Sequence, residues 1–230
     1  MSNSGFIKSS VGRKVAMALS GFFLVFFLLQ HLSINMLSIL NPDLFNEVSH
    51  FMGTNPIVQF GLQPVLLFGV LFHLATGIIL ELQNKKARPV QYAYNKPETN
   101  SSWMSRNMVI TGIMIMLFLG VHFYDFWIPE VSAKFIDGDW SGKMEGVEGF
   151  RYFTELQHKM SDPIRSGIYT VAFIFLSLHL QHGFASMFQS VGYRHNKRTA
   201  MIEKIGKVYA ILVPALFIVI AWFHVLNSNH

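Results

Sequence analysis

Six histidines of this chain stand inside long apolar stretches: His31, His73, His122, His179, His182 and His224. A neutral imidazole carries a proton on one nitrogen and a lone pair on the other, so it can bind a metal, relay protons or satisfy a neighbouring helix. An ionisable side chain at membrane depth is a functional candidate by default. Asp, Glu, Lys and Arg are nearly absent from the same stretches, with Glu81 and Asp125 close to their ends. The chain has no cysteine, which excludes disulfides, thiolate-held iron–sulfur clusters and a C-x-x-C-H attachment. It also lacks the P-loop, G-x-G-x-x-G, H-E-x-x-H and G-x-S-x-G motifs. His50, His158 and His195 fall in connections, where a solvated histidine is the ordinary case.

The elements that must hold these side chains are membrane spans. The 230 residues are 51% hydrophobic and 13% charged, with a mean hydropathy of +0.37. That charged share is about half the ~25% of a soluble domain. A hydrocarbon core ~30 Å thick needs roughly 20 apolar residues of helix, and five stretches qualify: 16–40, 57–82, 104–128, 164–188 and 205–226. The first follows Lys8, Arg13 and Lys14 and runs past Ala18-Leu19-Ser20 to Leu40, too long for a signal-peptide core, so it is read as a retained span.

Orientation follows from Lys and Arg. Thirteen of the 18 basic residues lie in the N-terminal segment and in the 83–106 and 189–207 connections, whereas the 41–56 connection has none and carries Asp43 and Glu47. The positive-inside rule then puts the N-terminus in the cytoplasm and the C-terminus outside. The net charge of +5 is accounted for by topology, and no nucleic-acid partner is implied. Residues 150–160 are expected to form an amphipathic helix on the outer interface. No internal repeat or linker is visible, so residues 1–230 read as one all-α domain, an integral membrane bundle of five transmembrane helices.

Depth sorts the histidines. His31, His73 and His179 lie about 15 residues into their span and His122 about 18, roughly 22 to 27 Å along it. Spans one and three run outward while two and four run inward. His31 and His122 therefore share an outer level and His73 and His179 an inner one, separated by ~10 Å of helix rise. A zinc or copper ion would need a third or fourth ligand beside each pair, and none is offered at the outer level. Haem brings four nitrogens of its own and takes one or two axial ligands from the protein, so a bis-histidine b haem fits both levels. Room for the macrocycle is suggested by Gly69 and Gly77, one turn before and after His73, and by Gly183 after His179. His179 is taken as the ligand for its following glycine. His182, one turn on, is the alternative ligand or a hydrogen-bond partner. His224 has no partner at its level.

Two haems at two depths form an electron path, and the absence of any flavin or nucleotide motif implies a soluble partner on one side and a lipid-soluble quinone on the other. The stretches Leu29-Gln-His31-Leu-Ser-Ile-Asn35, Ser49-His50-Phe-Met52, Phe72-His73-Leu-Ala-Thr-Gly77, Val121-His122-Phe-Tyr and Leu178-His179-Leu-Gln-His182-Gly183 resemble the di-haem cytochrome b subunit of succinate dehydrogenases and fumarate reductases. The likeness is to the five-span, single-polypeptide type that uses menaquinone, and it extends over nearly the whole chain. It implies a multi-pass anchor in a bacterial inner membrane that binds an iron–sulfur subunit and, through it, an FAD-containing flavoprotein. It also implies ligation of the outer haem iron by His31 and His122 and of the inner by His73 and His179. Some fumarate reductases of this type carry a glutamate two residues before the fourth ligand; here that position is Ser177, and no proton-moving role is carried over. A quinone site is expected near the outer ends of spans one and three, with Asp125, Glu47 and His50 as its acid–base groups. Two other readings stand beside this one: the anchor of a different quinone-linked dehydrogenase, and a transporter with a histidine relay.

Overall fold

The computed structural model describes residues 9–86, 107–192 and 196–228. All regular structure among them is helical: α1 (Ser10–Leu40), α2 (Pro42–Thr54), α3 (Gln63–Lys86), α4 (Met108–His122), α5 (Ile128–Phe135), α6 (Tyr152–Met160), α7 (Pro163–Ser190) and α8 (Asn196–Leu226). π-helical turns at Val58–Leu62 and Phe123–Trp127 lead into α3 and join α4 to α5. Five stretches are long and apolar enough to cross a membrane: Val11–Leu40, Val58–Lys86, Met108–Phe135, Pro163–Ser190 and Ala200–Leu226.

Local chemistry sets the boundaries. Asn41 closes α1 through its N–H to the Leu37 carbonyl (2.8 Å) and opens α2 by accepting from the Leu44 N–H (3.1 Å), with Pro42 following at the first helical position. Asp162 caps α7 in the same way, ahead of Pro163. Both π-turns end two residues before a proline, Pro64 or Pro129. A proline ring clashes with the carbonyl four residues back, and the wider turn opens the ladder at that point. The third span therefore continues to Phe135 instead of stopping at Ile128. The segment expected to be amphipathic is helical over Tyr152–Met160, and it packs on α2, α7 and α8 with Leu156 and Met160 buried.

Four helices close a ring. α1 packs on α3 and α7, α4 packs on α7 and more lightly on α3, and α8 lies outside the ring against α7 and α1. Neither α1 with α4 nor α3 with α7 packs closely, so these two pairs are the diagonals. The largest buried apolar cluster, which includes Leu32, Phe45, Tyr169, Phe173, Phe217 and Ile220, fills the end of the bundle where α1 finishes, beneath α2 and α6. The outward faces remain apolar and exposed, among them Phe26, Phe60, Phe68 and Ile164, as lipid-facing surfaces should be.

Candidate functional site: two histidine pairs across the ring

Each diagonal of the ring is bridged by a pair of imidazoles. His31 of α1 meets His122 of α4, with ring centroids 5.8 Å apart and planes at 84°. His73 of α3 meets His179 of α7 at 6.4 Å and 67°. The second pair, called near here, lies towards the end where α1 begins; the far pair lies towards the end where it finishes. A metal held ~2 Å from one nitrogen of each ring would set the centroids roughly 6 Å apart.

The near rings are held by hydroxyls. Ser20 Oγ is 2.9 Å from His73 Nδ1, and Thr111 Oγ1 is 3.2 Å from His179 Nδ1. Ser20 and Thr111 lie 11 residues before His31 and His122 on the same helices, so the two levels stand roughly 16 Å apart in helix rise, more than the ~10 Å expected from span arithmetic. The far rings are held by packing. Phe27 stacks on His31 and Phe118 on His122, each one turn earlier on its own helix, and Phe126, Tyr169 and Phe217 close around them. Nδ1 of His122 is buried without a hydrogen-bond partner.

The donor set is limited to these nitrogens. Among the described residues no group of three or more His, Cys, Asp or Glu is placed to hold a metal ion. Two nitrogens from two helices suit an ion whose remaining ligands arrive with it, as in haem. The far pair's unpartnered Nδ1 and the near pair's free ring edges are consistent with that group.

The other candidates fall in different places. Gly69 faces the Phe23 ring, where an added Cβ would stand 2.8 Å from Cε1, while at Gly77 and Gly183 it would only touch Met17 and Met108 at 3.4 Å. Gly69 thus serves contact between α3 and α1. The glycines nearest the near rings are Gly21 and Gly112, where a Cβ would lie 3.6 Å from His73 Cε1 and 3.7 Å from His179 Cε1. His182 is partly buried one turn past His179. His224 is fully buried, with Nε2 3.0 Å from Ser38 Oγ.

Asp125, in the second π-turn, has a fully buried carboxylate that pairs with Arg165 and accepts from the Tyr169 hydroxyl at 2.9 Å. Asp125 and Arg165, with Leu117, Val121, Tyr124 and Ile168, line a cleft of about 500 Å³ between α4 and α7. Glu47 is exposed on α2. His50 stacks on Phe150 (centroids 3.9 Å apart, planes at 11°) beside the ion pairs that join Glu130 to Lys134 and to Arg151. Burial, followed by the charge of Lys134, lowers the His50 pKa from its usual value. Asp125, Glu47 and His50 therefore keep separate company. Of the basic connections, Arg88, Lys96, Arg106 and Arg194 lie outside the described residues, as do the side chains of Lys197 and Arg198.

The chain is 24% identical over 178 residues, 77% of each chain, to the succinate dehydrogenase cytochrome b558 subunit of Bacillus subtilis (strain 168). No family model matches it, and no solved structure does.

Proposed function

We propose that this chain is the membrane-anchor and electron-transfer subunit of a succinate:quinone oxidoreductase. In this reading His73 and His179 hold an inner b haem, His31 and His122 hold an outer one, and electrons pass from a soluble iron–sulfur subunit, itself fed by an FAD-containing flavoprotein, to menaquinone. The near end is cytoplasmic and receives the soluble subunits. The observation that carries the reading is the bridging of both ring diagonals by imidazoles from four different helices. The relative's name adds the family of the complex and the cytochrome b class.

When bound, haem supplies a one-electron carrier that changes oxidation state without needing a proton from the protein. The chain's own residues do the rest. Four histidines would hold the two groups through one ring nitrogen each, and the aromatic shell of Phe27, Phe118, Phe126 and Phe217 packs against the far pair. Asp125 and Arg165 line the far cleft and the buried Tyr169 hydroxyl donates to Asp125 from behind, so a quinone carbonyl can accept from the guanidinium while the carboxylate, backed by the phenol, holds a proton.

The test is the pigment of the purified chain. A Soret band with two haems per chain by pyridine haemochrome, reducible by succinate once the soluble subunits are added, is the expected result. A colourless preparation from haem-replete cells would overturn the reading in favour of a histidine relay, and pigment reducible through another dehydrogenase but never by succinate would reassign the partner.

A further inference from the structure

The hydroxyls beside the near pair fix more than position. Ser20 Oγ donates its proton to the Met17 carbonyl at 2.8 Å, and Thr111 Oγ1 donates to the Met108 carbonyl at 2.9 Å. A hydroxyl has one proton and two lone pairs. Because a carbonyl can only accept, both contacts of each oxygen are hydrogen bonds at once only when the hydroxyl donates to the carbonyl and accepts from the imidazole, at 2.9 Å from His73 Nδ1 and 3.2 Å from His179 Nδ1. In that arrangement both near rings are protonated on Nδ1 and carry their lone pair on Nε2, and at His179 the Met108 backbone carbonyl shares the acceptor role with Thr111. Among the described residues no side chain hydrogen-bonds that Nε2 in either ring.

The device occurs twice. Ser20 is followed by Gly21 and Thr111 by Gly112; a Cβ at either would lie at ordinary contact distance from the His Cε1 edge (3.6 and 3.7 Å), and at Gly21 the close neighbour is Met187, whose Sδ would be 2.5 Å away. Each hydroxyl also lies 11 residues before the far histidine of its own helix. One helix of each hairpin thus supplies both a far imidazole and the acceptor that sets its neighbour's near imidazole. The far rings lack such a partner: His122 Nδ1 has none, and His31 Nε2 has only Asn35 Nδ2 at 3.5 Å, an amide that already donates to the His31 carbonyl at 2.8 Å.

The geometry points to Ser20 and Thr111 as positioning residues that lock the near imidazoles as Nδ1–H tautomers, present both Nε2 lone pairs across the ring and tune the potential of the near haem alone. This rests on the haem reading above. An acceptor on the distal N–H makes an imidazole a stronger ligand, and losing such a partner typically weakens metal binding by about 10–100-fold. A stronger nitrogen donor favours the ferric ion, so loss of the hydroxyl should raise the near haem's potential.

The experiment compares the two-haem protein with Ser20→Ala, Thr111→Ala and the double variant, reading haem content, redox titration and the low-spin EPR signals of each haem. The near haem's midpoint should rise in each single variant, by up to about 59 mV for a tenfold change in ferric over ferrous binding. Its EPR signal should shift, the far haem should stay unmoved, and Ser20→Thr and Thr111→Ser should restore both readings. Loss of the near haem alone in the double variant is also expected. Wild-type midpoints and EPR in a double variant that keeps both haems would overturn the proposal, as would equal shifts of both haems, which signal general loosening. A wild-type protein without haem would fail earlier and take the underlying reading with it.

Discussion

The near and far histidine pairs share a donor set and differ in what surrounds it. At the near level two hydroxyls and two glycines meet the rings; at the far level the rings are clamped by aromatic side chains, and one ring nitrogen is buried without a partner. An imidazole in an apolar bundle can be oriented by a hydrogen bond to its second nitrogen or by stacking on its faces. The first fixes a tautomer. The second fixes only the plane of the ring and leaves the proton to be placed by whatever binds. Stacking also dries the site, and the polar atoms at the far level are gathered a few residues away in the Asp125, Arg165 and Tyr169 group.

The largest effect that can break this comparison is loss of a pair. His73→Ala or His179→Ala should remove one haem of two, at the near level, and His31→Ala or His122→Ala the other. Pyridine haemochrome counts the loss, and EPR identifies which haem is gone. Two haems retained in His73→Ala would refute the assignment of that pair. If His182 is the ligand on α7, His179→Ala keeps its haem and His182→Ala loses it.

A smaller effect separates the partners of the far polar group. Asp125 is 2% exposed, while the Arg165 side chain is 28% exposed. Arg165→Met strands a buried carboxylate with only the Tyr169 hydroxyl, at a cost of about 3–5 kcal/mol. Asp125→Asn leaves a guanidinium that can turn towards water and an amide that still accepts from Tyr169, costing about 1 kcal/mol. Denaturant titration of the detergent-solubilised protein should show this asymmetry, and equal losses would mean that Arg165 is not Asp125's main support. Asp125→Asn should also keep both haems while slowing quinone reduction by roughly 10²–10⁴-fold. Full turnover in this variant and in Glu47→Gln would move the quinone away from the far end.

Much of this arrangement can be read from residue order. Five spans follow from apolar length, and the pairing of His31 with His122 and His73 with His179 follows from depth along helices of alternating direction. The diagonal placement does not, because depth says nothing about which helices are neighbours. α2 was readable from Asn41-Pro42-Asp43, a cap followed by proline and an acidic first turn, yet the 41–56 segment looks like a connection because it is short and lies between spans. The continuation past Pro129 depends on a π-turn that leaves no mark in residue type. Ser20 and Thr111 escape notice because hydroxyl–glycine pairs are common in membrane helices. The usable signal was their equal distance from His31 and His122, visible only when positions other than histidine are placed on the same depth scale.

The smallest effect concerns the lid over the far end, where His50 ties α2 to the 136–151 loop. Gly142 has φ 64°, and a Cβ there would fall 2.7 Å from His50 Nδ1, so the loop passes directly against the ring. The charged groups facing it are Lys134, Glu130 and Arg151, and burial followed by Lys134 lowers its pKa. A histidine whose folded pKa is below its unfolded value of about 6.5 binds more protons when unfolded, in the window between the two. Stability therefore rises with pH through that window and is lost as pH falls below about 6.5. The ring is only partly buried, so solvent screening keeps the effect at about 0.5 kcal/mol or less. Acidifying from about pH 7.5 to about pH 5.5 should speed amide hydrogen exchange in Pro42–Thr54 of the wild type, after correction for intrinsic rates, and His50→Gln should remove most of that acceleration. The same pH response in both proteins would assign the acid sensitivity of the lid to its carboxylates, leaving His50 a packing residue like the stacked histidines beneath it.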